Sequence, residues 1–359
     1  MYSQINEFSF KGKNIYVGID VHLKSWTATV LSDSLTLKTF RLDPSPEALC
    51  TYLFRNYPGA NFRSVYEAGF SGYATHRALL RMGIDNIVVN PADVPTTGKD
   101  KLRKTDAADS AKLAISLRAG QLKPIYIPEE DAQELRSLAR LQATITKDQT
   151  RIKNRIKGYL RFLGIAIPDP FSGTACWSHA FIDWLRSVST ATPNGKYVLD
   201  VYIAQLEEIR QRRLELLRLM RRISKEAPLN AQIELLKSVP GIGDITAMRL
   251  LAEIIDINRF KDVNHFAAFI GIVPMCHKSG DDSRDDNGSI TSRANRMLRC
   301  ALIESAWTAV GLDPVLTRSF EDLAKRMKRT SAIVRIARKL VNRIYFVLKH
   351  QCPYVTCTN

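Results

Sequence analysis

Four carboxylates occupy positions at which acids are rarely idle. Asp20 closes the apolar run of "YVGIDVH", and Glu67 ends a second run in "SVYEAG". Asp106 and Asp109 lie three residues apart in "KTDAADSAKLA", at the start of a helical pattern. A lone carboxylate at the end of a buried strand is costly unless it is paired or holds a cation. Acids three apart in a helix project on neighbouring faces. A sheet that sets Asp20 and Glu67 at adjacent strand ends would bring all four together. Such hard oxygen donors suit Mg2+ or Mn2+ rather than zinc. Two of these ions about 4 Å apart activate an attacking oxygen and stabilise a leaving one in phosphoryl transfer. Each acid also has an ordinary role, since first-turn acids complement the helix dipole and a strand-end Asp can cap a turn.

The elements that must position them come from the periodicity. "NIYVGIDV", "SWTATVLSD" and "LTLKTFRLD" read as three strands of a meander. "SPEALCTYLFRNY" is a serine-capped helix, and "RSVYEAG" and "DNIVVNP" are buried strands joined by the helix "GYATHRALLRMG". A helix from Thr105 to Ala119 closes the unit. Three hairpin-like strands followed by strand, helix, strand, helix predict a mixed sheet covered by helices, in ribonuclease-H-like order.

From about Glu129 the pattern is helical. Leu135, Leu138, Leu141, Ile145, Ile152 and Ile156 form one apolar stripe, and Arg and Lys fill the other faces. A second long helix, "YVLDVYIAQLEEIRQRRLELLRLMRRIS", follows a Pro/Gly/Ser-rich break, which predicts an antiparallel coiled-coil arm. The last third reads as compact and helical, ending in one basic helix from Glu321 to His350. The expected domains are 1–125, carrying the acids; 126–228, the arm; and 229–359, a C-terminal helical domain.

The 359 residues carry a formal charge of +16, which points to nucleic acid as partner before an anionic membrane surface. No apolar run has membrane-spanning length, and the N-terminus lacks a signal-peptide core. Six scattered cysteines without a CxxC pair argue against a zinc ribbon or a disulfide framework and for a cytoplasmic location. Lys101, Arg103 and Lys104 precede the helical acids and could hold a phosphate backbone. Gly241 and Gly243 of "SVPGIGDITA" frame a turn ahead of a helix, the pattern of a helix–hairpin–helix-like element that grips backbones without reading sequence. A glycine turn between packed helices is the plainer account of the same residues. In the polar loop "PMCHKSGDDSRDDNGSITSR", Ser279, Ser283 and Ser289 have no evident His–Asp partners for a hydrolase triad. A serine activated by a metal or a nearby cation could still attack phosphorus.

Together "VGIDVH", "YEAGFSGYATHRAL", "NPADVPTTGKDKLRKTDAADSAKLA", "SVPGIGDITAMRLLAEI", "HFAAFIGIVPMCHKSG" and "NRMLRCALIESAW" resemble the DEDD-type transposases of bacterial insertion sequences. That group includes Piv-like invertases and bridge-RNA-guided recombinases. The resemblance runs from about Tyr16 to Trp307. It implies a RuvC-like domain whose metal-binding tetrad is Asp20, Glu67, Asp106 and Asp109. It also implies Ser279 as nucleophile, a covalent serine–DNA intermediate, donor and target DNA as substrates and a structured bridge RNA as guide. A homodimer assembling to a tetramer is implied as well. This chain carries Ser292 and Ala294 where members usually have lysine and glycine. Two further readings use the same residues: a junction nuclease that hydrolyses with water, and a non-enzymatic nucleic-acid-binding scaffold.

Overall fold

In the computed structural model the described residues are 10–96, 105–172, 176–274 and 290–355. The chain forms two compact units, Met1–Ile127 and Pro128–Asn359.

The first unit is built on strand β1 (Asn14–Val21), whose apolar run is buried on both faces. β1 pairs antiparallel with β2 (Trp26–Leu31), and β2 with β3 (Thr36–Leu42). Helix α1 (Pro46–Asn56), capped by Ser45, leads to β4 (Asn61–Glu67), which runs parallel to β1. Helix α2 (Ala74–Arg81) then returns the chain to β5 (Asp85–Val89), parallel to β4. The five strands lie in the order β3-β2-β1-β4-β5, the mixed sheet that the sequence predicts. One face packs on α1 and α2 through Ile15, Val17, Ile19, Leu49, Leu53, Tyr66 and Leu79. The other carries Tyr16, Val65 and Val89 and is covered by α3 (Asp106–Arg118) through Leu113, Ala114 and Leu117.

Strand alternation assigns the acids to a face. Ile19 and Tyr66 pair in register and point toward α1 and α2, so the next residues along, Asp20 and Glu67, turn toward α3. The turn after Glu67 is fixed by the Tyr66 hydroxyl, which donates to Gly72 O (2.9 Å) and accepts from His76 N (3.2 Å).

The second unit is helical. α4 (Glu130–Phe162) and α6 (Pro193–Ile223) run antiparallel, since Tyr159 near the end of α4 bonds the carbonyl of Gly195 at the start of α6. Between them α5 (His179–Ser187) closes a small core with Ile152, Ile156, Leu160, Leu199 and Ile203. Leu141 departs from the predicted stripe: it is 48% exposed, and buried Gln142 takes its place, bonded to Arg249. Four residues on from Leu138, Gln142 stays on the buried face, whereas three residues carry Leu141 off it.

Helices α7 (Leu229–Lys237), α8 (Asp244–Ile254), α9 (Val263–Ile270), α10 (Arg296–Leu312), α11 (Pro314–Ala324) and α12 (Arg329–His350) enclose the largest core. The single terminal helix expected from Glu321 is broken at residues 325–328. Four of the five residues from Lys325 to Arg329 are cationic, and Met327 folds back onto the core instead of continuing the helix. No helix among the described residues is long and apolar enough to cross a membrane.

Candidate active site

The geometry of the acidic site starts at Gly18. A Cβ there would lie 2.1 Å from Ser110 O and 2.4 Å from Ala114 N, so the backbone of α3 rests directly on β1. No residue with a side chain allows that approach. Polar bonds fix the seat: Ser110 Oγ donates to Ala107 O (3.1 Å), which leaves it to accept from Thr29 Oγ1 at 2.8 Å. Thr29 in turn accepts from Thr39 at 2.9 Å, so one donor chain ties β3 and β2 to α3. Thr105 caps the helix by accepting from Ala108 N (3.2 Å). The first turn of α3 is thereby held against the end of β1.

Asp106 sits in this turn, and Asp20 meets it through His22. His22 Nε2 lies 3.1 Å from Asp20 Oδ2 and 3.7 Å from Asp106 Oδ1. One ligand atom from each of Asp20, His22 and Asp106 falls within 4.8 Å of the others, a spacing that one cation can span. Arg41 Nη2 donates to Asp106 Oδ2 at 3.0 Å, and Lys112 Nζ to Asp109 Oδ1 at 3.4 Å. Burial pushes the Asp20 carboxyl above its ordinary range; the neighbouring His22 opposes this, while Asp106 and Asp109 add to it. Partly buried acids crowding one another are what a divalent cation relieves, so the donor set fits such an ion.

Asp20 and Asp106 are thus brought together, with Asp109 close enough to act on Asp20 electrostatically. Glu67 ends the strand beside β1, on the same face of the sheet. Gly241, at φ +83, packs against α10: a Cβ there would meet Ser305 O at 2.3 Å. Gly243 is exposed at the cap of α8, whose first-turn Asp244 pairs with Lys237 (3.1 Å). Lys101, Arg103, Lys104, Ser279, Ser283 and Ser289 lie outside the described residues. In sequence the three serines fall between Pro274 and Ile290, which form an antiparallel bridge.

Sequence reasoning missed His22 and Arg41. The first was within reach, since a residue two beyond a strand acid shares its face. Arg41 was not, because only the register of β2 on β3 brings it to Asp106.

A mixed sheet in the order β3-β2-β1-β4-β5, with α3 across one face, fits a ribonuclease-H-like DEDD fold. Residues 17–165 match the DEDD transposase model of the IS110 type, and residues 233–321 match the transposase model of the IS116/IS110/IS902 family. The chain belongs to this family of insertion-sequence transposases. The y4qE protein of Sinorhizobium fredii is 26% identical over 246 residues, 68% of this chain and 57% of that protein. The transposase for insertion sequence element IS1111A of Coxiella burnetii is 27% identical over 246 residues, 66% of this chain and 63% of that protein. The pilin gene-inverting protein of Moraxella bovis is 33% identical over 132 residues, 35% of this chain and 39% of that protein. The chain therefore spans less than two thirds of the length of these relatives.

Proposed function

We propose that the protein is a DNA transposase that cuts and rejoins strands at a divalent-ion site formed by Asp20, Glu67, Asp106 and Asp109. The observation that carries this reading is the convergence of Asp20, His22 and Asp106 within 4.8 Å at a strand end, in a chain of this family. Mg2+ or Mn2+ held there would supply Lewis-acid polarisation of a phosphate oxygen. The remaining work belongs to the chain's own groups. The carboxylates would hold the ion, and His22 holds Asp20 and Asp106 in one orientation. Lys101, Arg103 and Lys104, just ahead of α3, would neutralise the backbone entering the site, and the turn at Gly241 and Gly243 would add a contact in the second unit.

Ser279 is the proposed nucleophile. Its Oγ–P bond forms as the P–O bond to one strand end breaks, and the serine proton leaves with the departing oxygen. Attack by an incoming strand hydroxyl reverses the exchange, so strands are joined without an energy source. The name of the Moraxella bovis relative, a gene-inverting protein, supports rearrangement over simple hydrolysis. In this reading the arm at 126–228 dimerises the protein, 229–359 carries the serine, and two dimers assemble on donor and target DNA. A structured RNA from the element guides them; the charge of +16 accommodates both polyanions.

The test is a trapping assay with Mg2+, RNA transcribed from the element's flanks and labelled donor and target DNA. A protein–DNA adduct that survives denaturation, and is lost in Ser279→Ala and Asp106→Asn, is expected. Cleavage without an adduct, insensitive to Ser279→Ala, would make the protein a water-using nuclease. Adduct formation that proceeds without RNA would remove the guide from the account.

A further inference from the structure

The row of side chains on the α3 face does not stop at the carboxylates. Asp20 is opposite Thr27, and Thr27 is opposite Arg41. Strands β4, β1, β2 and β3 therefore present Glu67, Asp20, Thr27 and Arg41 in turn across the sheet. With neighbouring strands about 4.8 Å apart, Arg41 stands two strands, roughly 10 Å, from Asp20. An open groove of about 640 Å³ runs here, lined by Thr27, Thr39 and Arg41 on the sheet and by Thr105 and Asp106 on the helix side.

Two observations say that the groove expects a ligand. Thr27 is only 4% exposed, yet its hydroxyl has no hydrogen-bond partner among the described residues. Buried hydroxyls are nearly always paired, and Thr27 is one of the residues that line the groove. Arg41, 71% exposed in its side chain, makes one contact, from Nη2 to Asp106, and its other donors meet no partner among the described residues. A guanidinium fork flanked by hydroxyls is a phosphate-binding chemistry. Asp106 in the wall would repel an anion until a cation is held beside it, so occupancy of the groove must depend on the ion.

We infer that the groove is a phosphodiester subsite, in which the strand being processed passes from the carboxylates over Thr27 to Arg41, whose guanidinium grips the phosphate next to the reacting one. The inference rests on the carboxylates being an ion site, as proposed above. Arg41 then has two successive partners: Asp106 before the ion arrives, and the DNA phosphate afterwards.

The test uses the full chain and a fluorescein-labelled DNA duplex. A contact to phosphate is blind to sequence, so any duplex serves. Affinity is measured by anisotropy across a salt series, in Ca2+ and in EDTA, with Mn2+ binding followed by calorimetry without DNA. In Ca2+, Arg41→Ala should weaken binding about ten-fold and flatten the slope of log K against log salt by about one. Arg41→Lys should restore the slope but only part of the affinity. Thr27→Val, which keeps shape and drops the hydroxyl, should weaken Ca2+-dependent binding a few-fold. In EDTA all four proteins should bind alike, and Arg41→Ala should hold Mn2+ at least as tightly as the wild type, having lost a competing cation. Wild-type affinity and slope for Arg41→Ala in Ca2+, with Mn2+ still bound, would overturn the subsite and leave the carboxylate site standing. An equal loss in Ca2+ and EDTA would reduce Arg41 to general surface charge. Failure of the wild type to bind Mn2+ would take down both readings.

Discussion

Replacing Gly18 by alanine tests whether the acidic site depends on how closely α3 approaches β1. The added Cβ would sit 2.1 Å from Ser110 O and 2.4 Å from Ala114 N, against ordinary contact that begins at 3.4 Å. Both atoms belong to backbone, so no side chain can swing away. α3 must retreat by about 1.3 Å, the difference between 2.1 and 3.4 Å. Overpacking of this kind costs about 1–3 kcal/mol. The same retreat lengthens the Thr29–Ser110 bond from 2.8 Å past hydrogen-bond range and adds about 1 kcal/mol. The effect on the site is larger than the effect on the fold. Asp106 and Asp109 ride on the displaced helix while Asp20 stays on the strand, and a misplacement of about 1 Å costs on the order of 100-fold in rate.

Hydrogen exchange should therefore show the amides of β1 and α3 losing about 2–4 kcal/mol of protection, with α4 and α6 unchanged. Calorimetry should show weaker Mn2+ binding, and the trapping assay at least 100-fold less adduct. Gly243→Ala is the control for stability: its Cβ meets nothing within 4 Å, so protection should change by less than about 0.5 kcal/mol. A Gly18→Ala protein with wild-type protection and Mn2+ affinity would refute the argument that close helix–strand contact sets the site.

Three further outcomes follow from the second unit. Gly158 lies exposed inside α4 with nothing within 4 Å of an added Cβ, so Gly158→Ala should stabilise the protein by about 0.5–1 kcal/mol in urea unfolding. Glu253, 3% exposed in its side chain, is held by Arg140 at 2.6 Å, Arg136 at 3.7 Å and Asn295 at 2.9 Å. Replacing both arginines by methionine strands this carboxylate and should cost about 3–5 kcal/mol; Glu253→Gln in the same background should recover part of it. Asp262 caps α9, and hydrogen bonds from the His265 backbone and ring, then from Asn264 N, draw its carboxyl down to about 2. Its folded value lies below the unfolded one near 3.8, so its stabilising effect is complete above that pH and fades as pH falls toward 2. The stability difference between wild type and Asp262→Ala should shrink over that window, and carbon-detected NMR should place the carboxyl midpoint near 2.

Much of this architecture was legible because local signals and tertiary demands agree. The apolar run through Ile19 could only be a strand covered on both faces, and Ser45 and Thr105 announce their helices as caps. Period-two alternation alone puts Asp20 on the face opposite Ile19. The unreadable parts depended on non-local packing. Leu141 and Gln142 exchange roles because Arg249, more than a hundred residues later, reaches Gln142. Arg41 and Thr27 join the site through antiparallel registers that no spacing in the chain encodes.

A strongly basic chain that gathers acids at one point also has to fold before any ion binds. The contacts around the site explain how. His22 stands between Asp20 and Asp106, Arg41 takes the free side of Asp106, and Lys112 takes Asp109. The Arg41 and Lys112 cations are placeholders for the charge that a divalent ion would bring. The Arg41–Asp106 pair is largely exposed, so it is worth at most about 1 kcal/mol and yields readily to a stronger ligand. Once displaced, Arg41 remains anchored to β3 at the edge of the groove. The side chain that balances the site when it is empty is thus the one released toward phosphate when it is filled. This ordering requires DNA affinity at the site to rise with the ion and requires the ion to bind more tightly when DNA is present, by the same factor. Measuring the two couplings on one protein is a closed thermodynamic check: equality at a factor well above one supports the exchange of partners, and a factor of one shows that the basic residues around the carboxylates serve only to neutralise them.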